Sequence, residues 1–561
     1  MPKINPHIFR AYDIRGIADN SGLQTVANGF PKKDPPEVDL TEEAAYLIGK
    51  GTATYLIRKY NCKHMAVGRD VRLTSPKLQK SFIKGLLECG LNVTDIGLSP
   101  SPMIYFATCA KSNPFFKTKF DCGTNITASH NPKEYNGIKT VADNAHSICG
   151  DELQEIKQLI EKEDFEKHKT TGTLETFDVW PIYLEELASK LHSPNKKLSR
   201  PLKIVVDAGN GAAGPFIPEL LKKIMPEGGE IIPLYCEPDG TFPNHEANPE
   251  ELHNMTALIK KVLETKADLG IGFDGDGDRI GIVDEKGNLY SSDFLLLLLT
   301  KDLLSRTNPI PDKNLTSSQN STNPIKNTRP KIVFDVKVSQ AIINKMAELG
   351  AEPIMSKTGH SFIEKRMKEE NALLAGEVSG HLFFAEDYYG FDDAFLAAIK
   401  ILEILANGTA NPGMQSPQPG TTINNEIPST QPGITTNPGV PSVQQKTHTN
   451  PKTFLPFSQL FSDLPKTYMT PEFKAKCPDD KKFQIVQSLV DHFTKLYDCI
   501  TIDGVRIEFD EISWGAVRAS NTSPNLTLRF EADTEEKLQK IQKIMVDELK
   551  KYPEVDLSWY K

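Results

Sequence analysis

The sequence predicts three similar α/β domains with mainly parallel mixed sheets, followed by a smaller C-terminal α+β domain. Three observations carry this. The chain has 561 residues, too many for one hydrophobic core. A plan of apolar strand, amphipathic helix ending at glycine and second short strand occurs three times, and strands alternating with helices imply parallel pairing. The C-terminal stretch instead places short strands ahead of a helix.

The first unit runs from Met65-Ala-Val67 through helical spacing between Leu78 and Leu87, past Gly90, to Val93-Thr-Asp-Ile96. The second starts at Lys203-Ile-Val-Val-Asp207, continues through Ile217 to Met225, and returns at Ile231-Ile-Pro-Leu234. The third starts at Lys331-Ile-Val-Phe-Asp335, follows Ala341 to Leu349, turns at Gly350 and re-emerges at Pro353-Ile354. In the tail, Ile500-Thr-Ile502, Arg506-Ile-Glu-Phe509 and Leu526-Thr-Leu-Arg-Phe530 read as strands. Thr534 to Tyr552 has helical spacing, with Asp533 and Glu536 as a capping box. Asn308 to Arg329 is rich in Asn, Ser, Thr, Pro and Lys. Asn407 to Lys452 carries eight prolines and almost no charge. Neither segment has the apolar residues to offset its ordering entropy, so both read as inserted surface loops without a catalytic role. The expected boundaries are 1–170, 171–305, 306–406 (with 306–330 as an insertion), a low-complexity linker over 407–457, and 458–561.

Hydrophobic content of 39% and charged content of 25% describe an ordinary globular protein. A net charge of -9 and a pI near 5.8 argue against non-specific nucleic-acid binding. The eight cysteines include no C-x-x-C pair, so neither a zinc ribbon nor a disulfide framework is indicated. Met1 to Gly16 carries charges throughout, and the run Phe294 to Leu299 is too short to span a bilayer. A cytoplasmic protein without nucleic-acid or membrane partners is expected.

Asp274, Asp276 and Asp278 are spaced two apart with Gly275 and Gly277 between them and Arg279 following. In extended backbone, alternate side chains point the same way, so the three carboxylates can converge. Three hard oxygen ligands suit Mg²⁺ or Ca²⁺, and Arg279 beside them suits an anion such as phosphate. An EF-hand fits only in part. Glu285 takes the twelfth position, but Arg279 replaces the turn glycine and the flanks read as strands. A Gly/Asp surface turn is the other competing reading.

Thr127-Ala-Ser-His-Asn-Pro132 puts Ser129 in a loop of small neighbours, where an exposed hydroxyl can carry phosphate. Phosphoserine adds about -1.5 to -2 charges and needs a metal or arginine beside it, which Asp274, Asp276, Asp278 and Arg279 would supply. No G-x-S-x-G elbow supports a serine hydrolase. Gly376-Glu-Val-Ser-Gly-His381 offers a carboxylate, a hydroxyl and an imidazole that can read sugar hydroxyls or move protons. Arg518-Ala-Ser-Asn-Thr522 suits a phosphate clamp. Each of these is also readable as a polar turn. Gly209-Asn-Gly-Ala-Ala-Gly214, with Glu237 closing the next strand, matches a dinucleotide fingerprint in form, so an NAD-dependent oxidoreductase is one alternative. A glycine-rich turn built for close packing explains the same residues. A sugar-phosphate-binding protein without turnover is the other alternative.

The four motifs occur in an order that resembles the α-D-phosphohexomutases, in particular the bacterial phosphomannomutase/phosphoglucomutase branch. Phe9-Arg-Ala-Tyr-Asp-Ile-Arg-Gly16 and Lys357-Thr-Gly-His-Ser-Phe362 extend the resemblance over nearly the whole chain outside the insertions. The resemblance implies four domains around one deep cleft, each lending a loop. It implies phosphorylation at Ser129 and Mg²⁺ held by Asp274, Asp276, Asp278 and the phosphoserine. Glu377 and Ser379 would then contact sugar hydroxyls, and Arg518, Ser520, Asn521 and Thr522 would hold the phosphate that is not reacting. Tyr12, Arg15, Lys139, Lys337, His360 and His381 would line the cleft, with Lys139 and His381 as proton-transfer groups and Arg279 beside the reacting phosphate. The implied reaction interconverts hexose 1-phosphate and 6-phosphate, of mannose and/or glucose, through a 1,6-bisphosphate that also serves as activator. A monomer is expected. Val378 within the sugar loop departs from the family pattern and leaves sugar preference open.

Overall fold

A computed structural model describes residues 4–21, 26–27, 30–31, 37–307, 329–408, 454–521 and 523–560. Most of both inserted segments and Thr522 therefore lie outside the described residues.

The three α/β units share one strand plan. In the first, strand His64–Arg69 pairs in parallel with Asn92–Leu98 on one side and Cys122–Ile126 on the other. The next strand, Tyr135–Ala142, then runs antiparallel to Cys122–Ile126. The second unit repeats this with Lys203–Asp207 between Glu230–Leu234 and Leu269–Phe273, and Ile280–Asp284 returning antiparallel. In the third, Lys331–Asp335 lies between Glu352–Ser356 and Leu374–Gly376, and Leu382–Phe384 returns. Each sheet thus ends a parallel run with one hairpin, and the three hairpin loops are residues 127–134, 274–279 and 377–381. The sheets are mixed at the position where the signature residues fall.

The central strands are buried on both faces and read as apolar runs such as Ile-Val-Val and Ile-Val-Phe, as parallel strands covered by helices do. Helix Ala394–Asn407 is buried almost all round because it is apolar all round. The Asp393 carboxylate caps its start by accepting the Leu396 N–H at 3.0 Å. It packs with helices Trp180–Ser189 and Ser292–Thr307 in a single apolar core that runs from Ala66 to Phe461 and joins all three α/β units.

The C-terminal unit has its own core. Strands Val505–Glu508, Trp514–Ala519 and Asn525–Ala532 form an antiparallel sheet against helices Asp479–Phe493 and Glu535–Leu549. Thr534 caps the second of these helices, accepting the Lys537 N–H at 3.3 Å. The expected cap Asp533 lies one position ahead of the N-cap and instead accepts from the Lys537 ammonium at 2.7 Å. Two boundaries also shift. Helix Ser292–Thr307 packs on the third sheet, and Phe457–Leu460–Phe461 insert against Tyr290 and Phe294 rather than joining the C-terminal core.

Candidate active site

The aspartates do not lie on extended backbone. Residues 274–278 form a tight turn, with Gly277 at φ +70° and the Asp274 Oδ1 accepting the N–H groups of Asp278 and Arg279, both at 3.1 Å. Curvature rather than strand alternation makes the carboxylates converge. All three are fully buried, with one oxygen of each within 4.8 Å of the others. Lys139 Nζ bridges Asp276 and Asp278 at 2.9 and 2.5 Å, and Ser101 Oγ donates to Asp276 at 2.6 Å. Among the described residues Asp276 Oδ1 has no hydrogen-bond partner, and Asp278 Oδ1 has only the His381 Nε2 at 3.4 Å. An all-carboxylate donor set with an unpartnered buried oxygen fits a hard divalent cation.

The hairpin of the first unit closes over this turn. Ser129 Oγ donates to Asp274 Oδ2 at 2.7 Å and lies 3.2 Å from His130 Nδ1. Ser129 is buried at 1% exposure, not exposed as the loop composition suggests, because the two hairpins meet back to back. A Cβ on Gly275 would come within 2.4 Å of the Ser129 carbonyl oxygen, so only glycine admits this approach. Ser129 itself takes a left-handed φ of +52°. Burial, with Asp278 and Asp276 nearby, pushes the Asp274 carboxyl well above the usual range. Burial acts the same way on Asp278, but Lys139 and His381 outweigh it and hold Asp278 well below that range.

The third hairpin meets the second through a bridge between Arg279 and His381. His381 Nδ1 lies 2.9 Å from the Glu377 carboxylate and 3.1 Å from Ser379 Oγ, and its Nε2 lies 3.4 Å from Asp278. Burial and Arg279 disfavour the imidazolium, yet Asp278 and Glu377 prevail and raise His381 to about 10. Glu377 falls to about 2, since the His381 contact and the Gly359 N–H outweigh its burial. His360 is pushed down to about 3 by burial, then by Lys139 and His381. It stays neutral near pH 7, with Tyr12 edge-on at 5.4 Å.

Arg518, on strand Trp514–Ala519, donates from Nε to Asp503 at 2.6 Å, while its buried Nη2 has no hydrogen-bond partner among the described residues. The Asn521 side chain hydrogen-bonds Tyr12. Lys337 Nζ donates to Glu472 at 2.5 Å. Arg15 reaches the Ala128 carbonyl at 3.1 Å and Asn131 Oδ1 at 2.8 Å. One cleft of about 480 Å³ is lined by Tyr12, Arg15, Lys139, Arg279, Lys337, His360, Glu377, Ser379, His381, Arg518 and Ser520. Ser129 and the aspartates sit behind His130, Lys139 and Arg279, which do line it. Asn521 is near the cleft through Tyr12, and Thr522 is outside the described residues.

Sequence reasoning did not single out Arg72, Ser101, Glu472, Asp503 or Asp392, whose Oδ2 lies 3.6 Å from His381. Most of their partners are distant in sequence, so no local spacing marks them. Asp503-Gly504 alone carries a turn signal.

The glycine turn 209–214 is not a dinucleotide cradle. Its Ala212 N–H donates to the Gly275 carbonyl at 2.9 Å, and a Cβ on Gly214 would strike the Cys236 carbonyl at 2.1 Å. The helix begins only at Ile217. The turn is consumed in packing under the aspartate loop, and no open amide row faces a pyrophosphate.

Sequence models of phosphoglucomutase/phosphomannomutase α/β/α domains I, II and III and of the C-terminal domain match residues 6–167, 181–287, 292–417 and 472–548. The phosphomannomutase/phosphoglucomutase of Pseudomonas aeruginosa is 36% identical over 98% of this chain and 96% of its own length. The phosphoglucomutase of Neisseria meningitidis serogroup A is 34% identical over 97% and 96%. A crystal structure of a phosphoglucomutase/phosphomannomutase family protein from Burkholderia thailandensis superposes with a TM-score of 0.75 at 31% identity, covering 98% of both chains. Neither an oxidoreductase nor a binding protein without turnover is supported. With four matched domains in order and relatives aligned end to end, this chain belongs to the phosphoglucomutase/phosphomannomutase family of α-D-phosphohexomutases.

Proposed function

We propose that this phosphohexomutase interconverts the 1- and 6-phosphates of mannose and/or glucose through a phosphoserine at Ser129 and a hexose 1,6-bisphosphate. The observation that carries the proposal is the 2.7 Å contact of Ser129 Oγ with Asp274 across two domains, directly behind a cleft built from all four. Phosphoryl transfer is driven by positioning and charge neutralisation. Asp274, Asp276 and Asp278 would hold Mg²⁺, which as a Lewis acid neutralises the transferring group.

The bond between Ser129 Oγ and phosphorus breaks as a bond forms to the free sugar hydroxyl. The hydroxyl proton leaves to a cleft base, and Ser129 Oγ receives one. Lys139 and His381 both stand in their protonated forms, so one of them supplies the proton to Ser129 Oγ, the hydroxyl proton passes to the neutral His360 imidazole in the same cleft, and both transfers reverse in the return half-reaction. Glu377 and Ser379 orient the sugar. Arg518, Ser520, Asn521 and Thr522 hold the idle phosphate, with Tyr12, Arg15, Lys337 and His360 shaping the cleft. The bisphosphate reorients and returns its other phosphate to Ser129. One chain supplies all four loops, so a monomer suffices. Among the described residues no helix is long and apolar enough to cross a membrane, in keeping with a cytoplasmic site of action.

The test is an assay panel of glucose, mannose, glucosamine and N-acetylglucosamine 1-phosphates with Mg²⁺ and a bisphosphate activator. Formation of glucose or mannose 6-phosphate is expected, with phosphate on Ser129 by peptide mass spectrometry. Turnover of the amino sugars alone, or phosphate elsewhere, would overturn the assignment.

A further inference from the structure

Arg72 lies outside the cleft lining and is 1% exposed, yet each of its five guanidinium N–H groups has a partner. Nε donates to Asp70 Oδ2 at 3.0 Å. Nη1 donates to the carbonyls of Pro132 and Tyr135 at 2.7 and 2.9 Å, and Nη2 to those of Ser129 and Asn131 at 2.8 and 2.5 Å. Three of the five acceptors belong to the loop that carries Ser129, and a fourth, Tyr135, opens the strand that follows it. Asp70 fixes the arginine in turn by also accepting its backbone N–H at 2.9 Å, and Phe242 of the second domain lies over the guanidinium at 5.3 Å.

We infer that Arg72 is a positioning residue for phosphoryl transfer, a planar template that sets the orientation of Ser129 Oγ from behind its backbone. The inference rests on the reading of Ser129 as the phosphorylated residue. Three physical points lead to it. Ser129 is held at φ +52°, a conformation that a residue with a side chain keeps only when its surroundings over-determine it. The amide side of the peptide is fixed by Thr127 Oγ1, which accepts the Ser129 N–H at 2.9 Å, and Arg72 fixes the carbonyl side. In-line transfer tolerates little misplacement, and a shift of about 1 Å in a reacting group costs on the order of a hundredfold in rate. A buried arginine used only to hold the fold would spread its donors over several elements. Here they converge on the reacting loop. Arg15 grips the same loop from the cleft side through the Ala128 carbonyl and Asn131, so the loop is held on both faces.

Lysine keeps the charge but has three donors on a flexible stem and cannot reproduce the planar four-carbonyl pattern. In Arg72→Lys, kcat per folded enzyme should fall about a hundredfold while KM for hexose 1-phosphate stays within about threefold, since the cleft contacts are untouched. Single-turnover loading of Ser129 from hexose 1,6-bisphosphate should slow by the same factor. Asp70→Asn, which loosens the arginine without removing it, should lower kcat by about tenfold. Unchanged kcat in both variants overturns the inference, as does a loss that merely tracks the folded fraction. If Arg72→Lys does not fold, Asp70→Asn decides. If the unmodified protein neither turns over nor loads Ser129, the functional reading fails separately. The template is then judged by amide hydrogen exchange of residues 128–135, which should quicken in Arg72→Lys and overturns the inference if unchanged.

Discussion

The three α/β units and the C-terminal unit are built on different terms. The first three share one continuous apolar core, and the loops with Ser129, the aspartates and Glu377 project from topologically equivalent hairpins of that single body. The C-terminal unit has a separate core and meets the third domain mainly through buried polar groups. Arg506 Nη1 donates to the Val336 and Val338 carbonyls at 2.7 and 2.9 Å, and Arg529 to Lys337 at 2.8 Å. Glu531 accepts from Ser339 at 2.7 Å. Packed apolar cores resist deformation, whereas a polar interface has discrete alternatives. The groups proposed to make and break bonds therefore sit on the fused body, and the proposed phosphate grip sits on a unit with its own core, joined through hydrogen bonds.

Ser129→Ala bears on the fused body and carries the largest expected effect. Turnover should fall on the order of a thousandfold or more, while hexose phosphate binding by calorimetry stays intact because the other loops remain. Near-normal turnover would remove the chemistry from the fused body. Asp276→Asn should lower Mg²⁺ affinity and turnover together, on the order of a hundredfold, with partial recovery in excess Mg²⁺. A loss indifferent to Mg²⁺ would mean the aspartates serve the fold alone.

Arg518→Ala bears on the C-terminal unit. It should raise KM by on the order of tenfold to a hundredfold with a smaller change in kcat, and extra Mg²⁺ should not help. More bisphosphate should escape before it is turned over, which is measurable in the supernatant. A pure kcat effect would show that the two halves do not divide the work in this way.

The smallest effect concerns Glu377 and His381 in metal-free protein. Glu377 is depressed to about 2, so its contribution to stability is complete above its ordinary 4.5 and is lost as pH falls toward 2. His381 is raised to about 10, so its contribution is complete below 6.5 and is lost as pH rises toward 10. Glu377→Gln should lower the melting temperature by about 2–4 °C near pH 5.5, and the gap from the parent should narrow at both extremes. A pH-independent gap would count against the pair.

Much of the site was legible because its signatures are contiguous. Asp274 to Arg279, Thr127 to Pro132 and Glu377 to His381 each occupy one hairpin, and the strands beside them announce themselves as apolar runs. Two kinds of information were not. The convergence of the aspartates was assigned to extended backbone, whereas the Asp274 carboxylate curls the turn by accepting two N–H groups, a tertiary detail that spacing does not encode. The second kind is support across sequence distance: Arg72 serves carbonyls some sixty residues away, and Glu472 reaches back to Lys337. Strand Trp514–Ala519 is not among the strands the sequence suggests, because Arg518 and the Ser-Asn-Thr run after it read as a phosphate clamp or a polar turn.

Lys139, lying between Asp276 and Asp278, has a consequence for electroneutrality. Asp276, Asp278 and Glu377 carry a formal charge of about -3 opposite Lys139, Arg279 and the protonated His381 at about +3, while Asp274, whose carboxyl is pushed well above its ordinary range, adds little negative charge of its own. That balance is nearly closed before any phosphate or metal enters. A phosphoserine at Ser129 brings about -2, and a divalent cation cancels it, so the two are electrically complementary arrivals. By thermodynamic linkage, phosphorylation should tighten the hold on the cation by the same factor that the cation tightens the hold on the phosphate. A dephosphorylated enzyme would then be a poor ligand for Mg²⁺, and the charge state of one serine would govern the occupancy of the neighbouring ion.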